Sequence, residues 1–125
     1  MKQYFFFIFC FVMIAFRLSA DDGNNASINL QHQNQHDNHS EYYPPADMPE
    51  AYFDSNDMEI IIVGDGFADY YDVEIVSLGS MLTVIGTQVD GYGDTINVSS
   101  LPDDSYVIVI TTEYNNVYQG QFTVV

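Results

Sequence analysis

The stretch "INVSSLPDDSYVIVITTEYNNVYQGQFTVV", Ile96 to Val125, decides the fold. Its large apolar residues fall on alternate positions: Tyr106, Ile108 and Ile110, and later Tyr118, Phe122 and Val124, with Gly120 at the intervening even position and Gln119, Gln121 and Thr123 interleaved. Strict alternation places successive side chains on opposite faces of a pleated strand, one dry and one wet. Between the two runs, Glu113-Tyr114-Asn115-Asn116 supplies turn residues, so the stretch predicts an antiparallel hairpin. Val107 and Val109 make the first strand apolar on its second face as well, which predicts a central position in its sheet.

The same texture extends back to about Glu50. Strands are predicted near Ala51–Asp54, Met58–Val63, Tyr71–Ser77, Met81–Val89, Thr95–Ser99, Tyr106–Thr112 and Val117–Val125, separated by Gly, Asp, Asn and Pro. Met58, Ile60 and Ile62 share one face opposite Glu59; Tyr71, Val73 and Ile75 oppose Asp72 and Glu74; Ile96 and Val98 alternate with Thr95, Asn97 and Ser99. Strands with one wet face each favour two antiparallel sheets packed face to face. No window carries the i, i+3, i+4 pattern of a helix. The fold class expected for residues 50–125 is therefore an all-β sandwich of about seven strands.

Residues 21–49 differ in composition: "DDGNNASINLQHQNQHDNHSEYYPPADMP" is rich in Asn, Gln, Asp and His and poor in branched apolar residues. Such a segment buries too little apolar surface to offset its ordering entropy, so a disordered polar tether is expected. Residues 1–20 read as an export signal: Lys2, an apolar run from Tyr4 to Phe16, then Leu18-Ser19-Ala20 before the expected cleavage point. The apolar run is shorter than the roughly 20 residues of a comfortable membrane span. The expectation is a secreted, periplasmic or cell-envelope product.

Lys2 and Arg17 are the only basic side chains and Cys10 is the only cysteine, so all 18 acids and no Lys or Arg lie beyond residue 20. Loss of the signal takes the formal charge from −16 to −18. Nucleic acid is excluded as a partner, because Lys and Arg contacts to phosphate supply most of that affinity. Anionic membrane surfaces are disfavoured on the same ground. Disulfides cannot staple the product, and trypsin-like proteases find no cleavage site in it.

The sequence from Ile96 onward, a short strand, Leu101-Pro102, a turn, Tyr106 opening an apolar strand, and a hairpin ending Gly120-x-Phe122-x-Val124, resembles the immunoglobulin-like secreted domains of unknown function of Bacteroides and related gut bacteria. It is similar, more weakly, to the C-terminal sorting domains of type IX secretion. The resemblance implies an immunoglobulin-like antiparallel β-sandwich and no particular activity. Tyr106, five residues after Leu101, also has the placement of a tyrosine corner, in which a hydroxyl bonds upstream backbone.

With strands joined one after another, the loops after Val63, Val89 and Thr112 are expected at the same end of the sandwich. They would gather Asp65, Asp69, Asp90 and Asp94 as candidate calcium ligands, and Phe67, Tyr70, Tyr92 and Tyr114 as candidate binding aromatics. Calcium takes 6–8 oxygen ligands, which converging acidic loops can provide. Asp and Gly are also ordinary turn residues, and that reading ranks first. No EF-hand spacing is present. His32, His36, His39 and Asp37 form a polar tract able in principle to bind zinc or copper. Asn25, Asn38 and Asn97 match glycosylation acceptors, relevant only in a eukaryotic secretory host.

Catalysis has little support. Beyond residue 20 there is no Cys or Lys nucleophile and no Arg to hold an anion, and the histidines lie in the tether. No resident cofactor is expected apart from the calcium reading. The sequence thus points to a non-catalytic binding or accessory module that recognises a protein or glycan through acidic and aromatic loops or an edge strand. The alternative is a structural, docking or sorting component of a bacterial envelope or secretion system.

Overall fold

The computed structural model describes residues 25–33 and 45–125; the expected export signal, Asp37, His36, His39 and Asn38 lie outside them. Among the described residues nine strands form, in chain order: β1 (Asn25–Ile28), β2 (Gln31–His32), β3 (Glu50–Asp54), β4 (Glu59–Val63), β5 (Tyr70–Ser77), β6 (Thr83–Asp90), β7 (Gly93–Asn97), β8 (Asp104–Thr112) and β9 (Val117–Val124). They make a four-stranded sheet, ordered β1-β3-β4-β7, and a five-stranded sheet, ordered β2-β9-β8-β5-β6. Every pairing is antiparallel. The fold is an all-β sandwich, and β3 to β9 are the seven strands read from residues 50–125.

The alternating residues meet between the sheets. Ile60, Ile62, Tyr71, Val73, Ile75, Ile96, Val98, Tyr106, Ile108, Ile110, Tyr118, Phe122 and Val124 all belong to one buried cluster. Phe122 packs against Phe53 from the other sheet, with ring centroids 5.3 Å apart, and against Tyr106 at 5.6 Å. β8 is the middle strand of its sheet, and Val107 and Val109 join Val76 and Val117 in a second buried cluster on its opposite face.

Strand ends shift for local reasons. Met58 and Met81 adopt positive φ, 55° and 61°, which ordinary strand residues avoid, so β4 starts at Glu59 and β6 at Thr83. Met58 still packs partly against the core. β7 runs two residues earlier than expected, because Gly93 already pairs with Val63.

The expected tether holds the largest departure. Residues 25–28 form β1 against β3, and residues 31–32 form β2 against β9, so this short segment stitches onto both sheets. Ile28 and Leu30 are buried in the core, and His32 stacks on Tyr118 with ring centroids 5.1 Å apart. Ala26, Ile28, Leu30 and His32 in fact alternate with Ser27, Asn29 and Gln31, a period-2 signal masked by the polar composition around it. Gly120 in β9 makes the crossing possible. A Cβ there would lie 2.5 Å from Cγ2 of Ile28 and 3.0 Å from the carbonyl oxygen of Asn29.

Asp47, also inside the expected tether, is 2% exposed. Its carboxylate accepts hydrogen bonds from Thr112 Oγ1 (2.6 Å), Tyr118 Oη (2.6 Å) and Asn116 Nδ2 (3.0 and 3.2 Å). No base is needed, because neutral donors satisfy both oxygens. Burial pushes its pKa up, but the bonds from Thr112, Tyr118 and Asn116 outweigh this and hold it below the usual carboxylate value. His32 Nε2 lies 3.0 Å from Oδ1 of Asn116, linking β2 to the same network.

Candidate recognition surface at the loop end

The β4–β5 loop, the β6–β7 turn and the β8–β9 hairpin do meet at one end of the sandwich. The Gly64 N–H donates to Tyr92 O (3.2 Å), the Gly66 N–H to Gly91 O (3.2 Å) and the Gly91 N–H to Asp69 O (3.0 Å), which ties the first two loops by backbone alone. The third is joined through a side chain: the Asp69 N–H donates to Oε1 of Glu113 at 2.7 Å. Loop positions held this way need little further ordering before they contact a ligand.

Three of the four candidate aromatics share this surface. Phe67 and Tyr114, from different loops, pack with ring centroids 5.6 Å apart yet remain 54% and 51% exposed. Tyr92 is 73% exposed, with its ring lying over the backbone of Gly66. Gly66 has φ +87°, and a Cβ there would sit 2.4 Å from the Tyr92 ring, so both the turn and the ring position require glycine. Tyr70 is placed differently: it begins β5 opposite Asp90 and is half-buried. The Tyr114 hydroxyl has its pKa raised, first by the charge of Glu113, then by burial.

Of the four candidate calcium ligands, Asp65 and Asp69 lie in the β4–β5 loop, Asp90 ends β6 and Asp94 lies in β7. Asp65 Oδ1 accepts from the Phe67 N–H (3.0 Å), Asp90 Oδ1 from the Tyr92 N–H (2.8 Å) and Asp94 Oδ1 from the Thr95 N–H (2.8 Å). The first two are Asx turns, with the carboxylate standing in for a backbone acceptor two residues before the donor. Among the described residues no group of three or more His, Cys, Asp or Glu is arranged to hold a metal ion. The acids thus shape the loops that carry Phe67 and Tyr92. His32, from the polar tract, is engaged with Asn116 and Tyr118.

At the opposite end, the hydroxyl of Tyr106 donates to the carbonyl oxygen of Pro102 at 2.5 Å. This is the tyrosine-corner geometry, and it fixes the crossing from β7 in one sheet to β8 in the other. Sequence reasoning missed Asp47 altogether, although an acid two residues before Pro49 gave no spacing signal to find it by.

No protein-family profile matches the chain, and no curated protein sequence does. A solved structure described as a DUF3244 family protein with an immunoglobulin-like β-sandwich fold, from Bacteroides vulgatus ATCC 8482, aligns with a TM-score of 0.61 over 79% of this chain and 97% of its own, at 14% sequence identity. That likeness shows the fold, an immunoglobulin-like β-sandwich, and lends no support to the sorting-domain resemblance.

Proposed function

We propose that the chain is an exported, non-catalytic binding module whose partner, a protein or a glycan, is recognised at the loop end of the sandwich. The observation that carries this reading is the convergence of Phe67, Tyr92 and Tyr114, three exposed aromatic rings from three loops held together by hydrogen bonds. Aromatic rings with adjacent polar groups provide large contact area at small conformational cost and dominate many recognition surfaces. The surrounding carboxylates of Asp65, Asp90 and Glu113 are occupied by backbone N–H groups of these loops, which leaves the rings as the principal contact groups.

The test uses residues 21–125 as bait against extracellular proteins and a glycan array. The triple variant Phe67→Ala, Tyr92→Ala, Tyr114→Ala is expected to lose at least about tenfold in affinity for whatever the parent retains, with an unchanged melting temperature. Equal binding by parent and variant overturns the assignment of the surface. Fixed association with one envelope assembly, unaffected by the variant, would instead support a docking component.

A further inference from the structure

We infer that the free edge of β6 is a second contact site, which takes an extended segment of a partner protein carrying a Lys or Arg side chain. This rests on the reading of the chain as a binding module but uses a surface separate from the aromatic loops. Among the described residues β6 ends the five-stranded sheet, and it is eight residues long. Of these, only Ile85 and Val89 are not exposed. Edge strands of this kind are ordinarily blunted by charge, proline or a bulge, because their outward N–H and C=O groups invite another strand. From Met81 to Val89, "MLTVIGTQV", there is neither a charge nor a proline, in a chain with 18 acids. A register irregularity, where Ile75 pairs with Ile85 but Val76 with Thr83, leaves Ile85–Asp90 as the regular portion open to strand addition.

The partner's charge follows from the next strand. Gly86 is opposite Glu74 in register, and Gln88 is opposite Asp72, to which its Nε2 donates at 3.1 Å. A Cβ placed on Gly86 would meet nothing within 4 Å. A strand added outside β6 would therefore have an unobstructed path across Gly86 to the exposed carboxylate of Glu74, roughly 10 Å away at two strand spacings. Lys and Arg side chains span that distance when the glutamate reaches toward them. A second copy of this chain is a poor occupant, since it brings the same excess of negative charge and no base beyond residue 20. Backbone pairing would supply affinity and the Glu74 contact selectivity.

The experiment titrates residues 21–125, isotopically labelled, with synthetic alternating Thr/Val peptides of roughly ten residues that differ only in a central Arg or Glu. Expected are amide shift changes confined to β6 and β5, with the Arg peptide binding at least about tenfold more tightly. Glu74→Lys should reverse that preference, and the triple aromatic variant should leave it intact. Shifts absent from β6, or an Arg/Glu preference that Glu74→Lys does not change, overturn the inference. Because the peptide is read at β6 and the aromatic variant at the loops, failure of either site is recognisable without the other.

Discussion

The hydroxyl of Tyr118 donates to Oδ1 of Asp47 at 2.6 Å, joining residues 71 apart in the chain through a carboxylate that is almost wholly removed from solvent. Both oxygens of Asp47 accept from neutral donors on β8, β9 and the hairpin between them. The segment before β3 is thereby anchored to the five-stranded sheet.

Asp47→Asn should destabilise the fold by about 1–3 kcal/mol at neutral pH, the cost of mismatching buried hydrogen bonds. The sign of its pH dependence follows from the lowered pKa of Asp47. A carboxyl whose folded pKa lies below its unfolded value of about 3.9 contributes fully above that value, and the contribution is lost as pH falls through the folded pKa. Denaturant melts of parent and variant should therefore diverge above about pH 4 and converge below it. A constant gap down to pH 2 would contradict the network.

Tyr106→Phe removes the hydrogen bond to Pro102 and keeps the ring in the core. The expected loss is about 1–2 kcal/mol, with strand content unchanged by circular dichroism. A neutral substitution would mean that the hydroxyl does not fix the β7–β8 connection.

Two glycines separate close approach from open space. Gly120→Ala pushes a methyl group into Ile28 and the Asn29 backbone, and should cost about 1–3 kcal/mol. Gly86→Ala, with nothing to meet, should fall within about 0.5 kcal/mol of the parent or stabilise it slightly. Chemical denaturation of both variants measures the contrast.

Calcium is expected to raise the melting temperature no more than NaCl at matched ionic strength, because Asp65, Asp90 and Asp94 already serve backbone donors in their own segments. A larger shift with calcium, abolished by Asp65→Asn, would establish a cation site.

Residues 50–125 were readable because each strand carries its own alternation, and pleat geometry turns that directly into a buried and an exposed face, as in Tyr71-Asp72-Val73-Glu74-Ile75. The meeting of the three loops was readable too, since strands joined in succession put alternate connections at one end. Asn25–His32 was not, because Ile28 and Leu30 are too few to register in composition and act only through the space that Gly120 leaves in a distant strand. Asp47 escaped for a related reason: its partners Thr112, Asn116 and Tyr118 are supplied entirely by the folded state. The loop acids were legible as residue types, but whether they serve backbone or ion depends on distances that no spacing encodes.

β1 and β4 both run toward the pole that carries Phe67, Tyr92 and Tyr114, and β9 runs away from it, so Asn25 and Val124 emerge together at the far pole. A support attached directly at Val124 thus displays the aromatic pole outward, about the full height of the sandwich away. Orientation on a support comes from the strand directions alone.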